Sequence, residues 1–66
     1  MSDSLDQLAD EVGALERRVS DVIFDAVRAQ LRDDAADAAR ELERRLTRVR
    51  RSLQKAEGLL RDAERD

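Results

Sequence analysis

The sequence predicts an all-α fold, an antiparallel helical hairpin that dimerises into a four-helix bundle. Three observations lead to this prediction. Apolar residues recur at alternating steps of three and four along most of the 66 residues, a spacing that turns one stripe of each helix toward a partner helix. The chain has one aromatic residue and is rich in Ala, Leu, Arg, Glu and Asp, a composition that indicates long helices rather than a β-sheet core. The register of the apolar stripe changes once, near the middle of the chain.

The stripe consists of two runs. The first run is Leu5, Leu8, Val12, Leu15, Val19, Val22, Ala26 and Ala29. The second run is Ala35, Ala39, Leu42, Leu46, Val49, Leu53, Ala56, Leu60 and Ala63. We expect the core to be formed by Leu8, Val12, Leu15, Val19, Leu42, Leu46, Val49 and Leu53. Continuing the first register would place four charged residues, Asp33, Arg40, Glu43 and Arg50, on the stripe, so we expect the second register to begin between the two runs.

The chain is predicted to be a single helical module over residues 1–66, with helix 1 at about 4–31, a turn at about 32–34 and helix 2 at about 35–64. Ser2 or Ser4 can cap the first helix. Asp34 can cap the second, and Arg32 is favourable at a helix carboxyl end. The alternative is one continuous coiled-coil helix of about 90 Å, because the alanine-rich stretch after residue 34 has a high helix propensity.

The first helix is apolar on more than one side between residues 22 and 31, and one hairpin partner can cover only one side. An uncovered apolar patch of this kind marks an interaction site, and two hairpins in a four-helix bundle would cover it. We therefore predict an intermolecular surface formed by Val22, Ile23, Phe24, Val27 and Leu31. If Phe24 is buried in that surface, we expect Phe24→Ala to cost about 3–5 kcal/mol.

The side-chain inventory argues against catalysis. The chain has no histidine, cysteine or tyrosine, the residues that most often supply nucleophiles and proton carriers. We predict no enzymatic activity, no catalytic residues, no cofactor and no metal site. Asp33, Asp34 and Asp37 match the DDxxD pattern, which resembles the aspartate-rich motif of isoprenoid synthases. That resemblance implies magnesium–diphosphate binding in a deep cavity, which 66 residues cannot enclose, so we interpret these aspartates as a helix cap and turn.

Helix 2 is locally basic, with Arg44, Arg48 and Arg51 as possible anion-binding residues. A phosphate-binding helix is one interpretation. The other is that the arginines pair with acidic residues of a neighbouring helix, with Asp21 and Asp25 expected near Arg44 and Arg45. The net charge of −3 and the presence of only one aromatic residue, Phe24, for base stacking favour pairing.

The predicted function is a non-enzymatic interaction or oligomerisation module, an adaptor, assembly or regulatory subunit. It would self-associate, with a dimer favoured, or dock on a larger protein through apolar helix faces. Alternatives are a nucleic-acid-associated protein using the arginine-rich face, and a small structural accessory subunit of an enzyme complex. No apolar run approaches the ~20 residues of a membrane span, and the amino terminus lacks a signal-peptide core. We therefore expect a cytoplasmic protein, and the twelve arginines against one lysine suggest a bacterial source.

Overall fold

The chain folds as two α-helices packed against each other. In a computed structural model, which describes residues 2–32 and 36–63, α1 spans Ser2–Ala29 and α2 spans Ala36–Asp62. The helices run antiparallel, because Gln30 meets Glu43 near one end and Asp10 meets Arg61 near the other. The prediction of an all-α helical hairpin is confirmed, and the alternative of one continuous helix is wrong.

Both helices begin with a carboxylate and end with a guanidinium group in the terminal turn, the arrangement that complements the helix dipole. α1 ends two residues before the predicted position. Its last turn tightens, since the amides of Leu31 and Arg32 donate to carbonyls three residues earlier, at 3.1 and 3.0 Å. The predicted turn residues 33 and 34, the first residue of predicted helix 2 and its last residue, 64, lie outside the described residues.

The two arms meet along a seam of buried and half-buried residues. On α1 and just beyond it the seam residues are Leu5, Ala9, Val12, Glu16, Val19, Ile23, Ala26 and Gln30. On α2 they are Ala36, Ala39, Glu43, Leu46, Arg50, Leu53, Glu57 and Leu60. The most deeply buried hydrophobic residues are three alanines and one isoleucine, with Ala9, Ala26 and Ala39 allowing the arms to approach closely. The seam therefore holds one large, deeply buried side chain, that of Ile23.

The seam differs from the predicted core by a small rotation of each helix. Val12, Val19, Leu46 and Leu53 lie in it, as expected. The other half of the predicted core does not, since the exposed fractions of Leu8, Leu15, Leu42 and Val49 are 43–47%. Their places are taken by the next residue along each helix, and these include Glu16, Glu43 and Arg50.

The hairpin is a rod rather than a globule. Its Cα atoms extend over 51 × 14 × 10 Å with a radius of gyration of 15.2 Å, against about 11 Å for a compact chain of this length. Its accessible surface is 5310 Å², against about 4,200 Å² expected for a compact monomer of 7.5 kDa. The isolated hairpin thus exposes roughly a quarter more surface than a folded monomer of its mass.

Candidate interaction surfaces

The hairpin has two long faces, one on each side of the seam. Successive helix residues turn by about 100°, so the residue before a seam position and the residue after it lie on opposite sides. Because both helices are right-handed and run antiparallel, residues preceding seam positions share one side in both arms. Asp10 and Arg61 each follow a seam residue, and their side chains meet across the arms at 3.2 Å, as this geometry requires.

The first face, which we call the apolar face, is formed by residues that precede seam positions. Its large members are Leu8, Leu15, Val22, Leu42, Val49 and Leu59. Their exposed fractions are 43–61%, although leucine and valine are residues that folded proteins usually bury. Charges stand beside them, with Glu11, Arg18 and Asp25 on α1 and Arg45 on α2. An apolar stripe with charged edges over both arms is typical of a helix-packing interface.

The opposite face, which we call the polar face, begins with a charged cluster at the open end of the hairpin. Arg61 donates to Glu57 at 2.7 and 3.0 Å and to Asp10 at 3.2 Å. The Glu57 carboxylate lies against the backbone of Gly13, where a methyl group would stand 3.2 Å from Oε2. Glycine therefore makes room for this carboxylate beside α1.

Glu16 and Glu57 form a carboxyl pair across the seam. The pKa of Glu16 is raised above its ordinary value because its protonated carboxyl donates to Glu57, with partial burial and the neighbouring negative charge acting in the same direction. The pKa of Glu57 is lowered because it accepts from Glu16 and Arg61. When ionised, Glu16 has a buried Oε2 without a hydrogen-bond donor among the described residues. The two carboxyl groups are therefore best hydrogen-bonded when the pair carries one proton.

A groove of about 580 Å³ lies on the polar face near the turn. It is lined by Gln30, Arg40, Glu43, Arg44, Thr47, Arg48 and Arg51. Its single carboxylate, that of Glu43, accepts from Gln30 at 2.5 Å. The groove thus brings together the three predicted anion-binding arginines, Arg44, Arg48 and Arg51, with a fourth, Arg40.

The predicted pairing of the arginines with α1 differs from the observed one. Arg44 and Arg45 both pair with Glu41 within α2, at 3.6 and 3.4 Å. Within residues 2–32 and 36–63, neither Asp21 nor Asp25 forms an ion pair. Sequence reasoning also missed the contact between Asp10 and Arg61, which depends on how the arms align and has no signature along the chain.

The residues of the predicted intermolecular surface are divided among three places. Ile23 lies in the seam with 8% of its surface exposed, so it belongs to the contact between the arms. Val22 lies on the apolar face. Phe24, Val27 and Leu31 follow seam positions, so they lie on the polar face near the turn, with exposed fractions of 60%, 43% and 85%. Arg28 stands 5.9 Å from the centre of the Phe24 ring.

The described residues give no support for a metal site in the aspartate-rich stretch. Asp33 and Asp34 lie outside the described residues, and Asp37 is an exposed partner of Arg40 at 3.4 Å. In the part of the chain that the structure describes, no three acidic side chains are placed to hold a cation. The same residues include no helix long and apolar enough to cross a membrane.

Comparison with known proteins adds nothing to this geometry. No family model, curated protein or solved structure matches the chain. The function of the chain must therefore be inferred from its apolar face and its polar face.

Proposed function

We propose that this chain is a non-enzymatic self-association module in which two hairpins pack through their apolar faces into a four-helix bundle. The observation that supports this most directly is the inversion of polarity across each helix. Leu15 and Val49 face outward while the neighbouring Glu16 and Arg50 lie between the arms. A hairpin that worked alone would be more stable with Leu15 and Val49 between its arms, since burying each of these apolar side chains is worth about 1.5–3 kcal/mol.

The exposed area matches what a dimer requires. The excess over a compact monomer is about 1,000 Å² per hairpin, and a standard interface buries about 800 Å² per partner. The apolar face also extends over most of the 51 Å rod. A second copy of the same hairpin has the length and the apolar composition to cover it.

Charge supports a second copy as the occupant. On the apolar face, α1 carries the carboxylates of Glu11 and Asp25 against the guanidinium group of Arg18, whereas α2 carries the guanidinium group of Arg45. When two copies pack face to face with their turns at the same end, the acidic arm of each meets the basic arm of the other. Such complementarity favours association of matching partners and sets their orientation.

A pair of leucine variants tests this proposal. Leu15→Glu places a charge in the centre of the apolar face, whereas Leu31→Glu places the same charge outside it, at a residue that is 85% exposed. An unpaired buried charge costs several kcal/mol, so sedimentation equilibrium should give a dimer for the parent and Leu31→Glu and a monomer for Leu15→Glu. A parent that is monomeric at 100 µM, or two variants with the same mass, would overturn the proposal.

The role in the cell that we infer is assembly: the module would dimerise or scaffold a protein to which it binds, as an adaptor, regulatory or accessory subunit. No histidine, cysteine or tyrosine is present in the sequence to support chemistry of its own. Affinity purification from the native host at increasing salt would separate a self-contained homodimer from a subunit of a larger complex. Recovery of the dimer alone would contradict the subunit role and leave self-association.

A further inference from the structure

We propose that the groove on the polar face binds an acidic amphipathic helix of a partner protein. The sequence indicates an apolar set, Phe24, Val27 and Leu31, and a cationic set, Arg44, Arg48 and Arg51, with no relation between them. The structure places both sets on the same face at the same end of the hairpin, because all but Arg48 directly follow a seam residue.

The groove and the surface beside it differ in chemistry. The groove presents four guanidinium groups and one carboxylate, and that carboxylate is already bonded to Gln30. Within the described residues, Arg48 and Arg51 form no ion pair, while Arg40 and Arg44 have only exposed partners at 3.4 and 3.6 Å. Val27 and Leu31 do not line the groove, but they are exposed on the same face of the hairpin beside Gln30, which does line it.

A ligand for this face needs apolar and acidic groups together. An amphipathic helix meets both needs, since its apolar residues at i, i+3, i+4 and i+7 would pack on the apolar side chains beside the groove while flanking carboxylates meet the arginines. A nucleic-acid backbone would use only the arginines and leave these apolar side chains uncovered. The exposed apolar side chains beside the groove therefore favour the peptide.

The polar face remains open in the dimer proposed above, because it lies across the seam from the apolar face. Peptide binding is thus independent of self-association and can be measured separately. Arg44 and Arg45 supply a matched pair of variants for this purpose. Both pair with Glu41 and their side chains are 70% and 75% exposed, but Arg44 lines the groove whereas Arg45 lies on the other side.

The experiment uses fluorescence anisotropy on the full chain with three labelled probes of equal net charge. They are a helical peptide of leucine and glutamate in amphipathic order, a peptide of the same composition in scrambled order, and a single-stranded oligonucleotide. We expect the amphipathic peptide to bind at least tenfold more tightly than either other probe. Arg44→Gln should weaken binding of the amphipathic peptide about three- to fivefold, the size of one exposed ion pair. Arg45→Gln should weaken it by less than twofold.

Leu31→Ser tests the apolar side chains beside the groove. It should weaken binding of the amphipathic peptide but leave binding of the scrambled peptide unchanged. Equal binding of the two peptides would overturn the proposal, as would equal effects of Arg44→Gln and Arg45→Gln. Tighter binding of the oligonucleotide that weakens steeply with salt would replace it with a nucleic-acid site.

Discussion

The seam and the apolar face lie one residue apart on each helix, yet they differ in composition. The seam encloses Glu16, Glu43, Arg50 and Glu57 between its leucine, valine and alanine residues, whereas the apolar face leaves further leucines and valines on the outside. A hairpin that had only its own arms to satisfy would rotate each helix to bury the leucines. The observed rotation buries part of the apolar stripe between the arms and leaves the rest exposed.

The largest effect is expected at the seam's single large, deeply buried side chain. Ile23→Ala should destabilise the hairpin by about 2–5 kcal/mol, because it removes most of the one large aliphatic side chain that is deeply buried in the seam. Phe24→Ala is the matched control, since Phe24 is adjacent but 60% exposed. In urea unfolding, the control should lose less than about 1 kcal/mol of unfolding free energy. Equal losses for the two variants would mean that Phe24 is buried in a second contact.

Replacing a polar seam residue should have the opposite sign. Arg50 Nε is buried without an acceptor among the described residues, and exchanging such a group for an apolar side chain is often stabilising. Arg50→Met should therefore gain about 1–2 kcal/mol, or roughly 4–16 °C in Tm for a chain of this size. Arg51→Met, at the exposed neighbouring position, should leave the Tm unchanged. A loss of stability in Arg50→Met would show that the arginine has a structural role.

The carboxyl pair predicts a dependence on pH. The raised pKa of Glu16 contributes stability below the ordinary glutamate value of 4.5, and this is lost as the pH rises through the raised value. The lowered pKa of Glu57 contributes stability above 4.5, which is lost as the pH falls through the lowered value. The pair is thus most favourable when the pH lies between the two pKa values.

Glu16→Gln should therefore raise the Tm at pH 7, because the amide donates to Glu57 without a second negative charge. It should also flatten the fall in Tm as the pH rises above the ordinary glutamate value of 4.5. Glu11→Gln removes the same charge from an exposed residue and tests for a general charge effect. Identical pH profiles for these two variants would contradict the pairing of Glu16 with Glu57.

The smallest effects on stability are expected from replacing the two glycines. Gly13 lies against Glu57 of the other arm, whereas Gly58 faces open space. Gly58→Ala should gain up to about 1 kcal/mol from helix propensity, because nothing lies within 4 Å of the added carbon. Gly13→Ala should gain less, since the Glu57 carboxylate must move from 3.2 Å while Arg61 holds it. Thermal unfolding followed by circular dichroism measures both. A larger gain at Gly13 would indicate that this carboxylate is not held against α1.

The sequence was sufficient to predict the hairpin but not its rotation. Heptad spacing and the register change between Ala29 and Ala35 depend on local chemistry, and both are visible along the chain. Whether Leu15 or Glu16 faces the other arm depends on how closely the helices approach, and therefore on alanines such as Ala9 and Ala26 packing against α2. Hydrophobicity alone would place Leu15, not Glu16, against the other arm. For the same reason the predicted intermolecular set combined residues such as Ile23 and Leu31 that the structure separates.

The most direct test asks which methyl groups meet across the proposed dimer. In a sample that mixes isotope-labelled and unlabelled chains, a filtered nuclear Overhauser experiment detects only contacts between molecules. We predict intermolecular signals from the methyl groups of Leu8, Leu15, Val22, Leu42 and Val49, and none from Leu31. Signals from Val27 and Leu31 without those of Leu15 and Val49, or no intermolecular signals at millimolar concentration, would contradict the claim that the apolar face joins two hairpins.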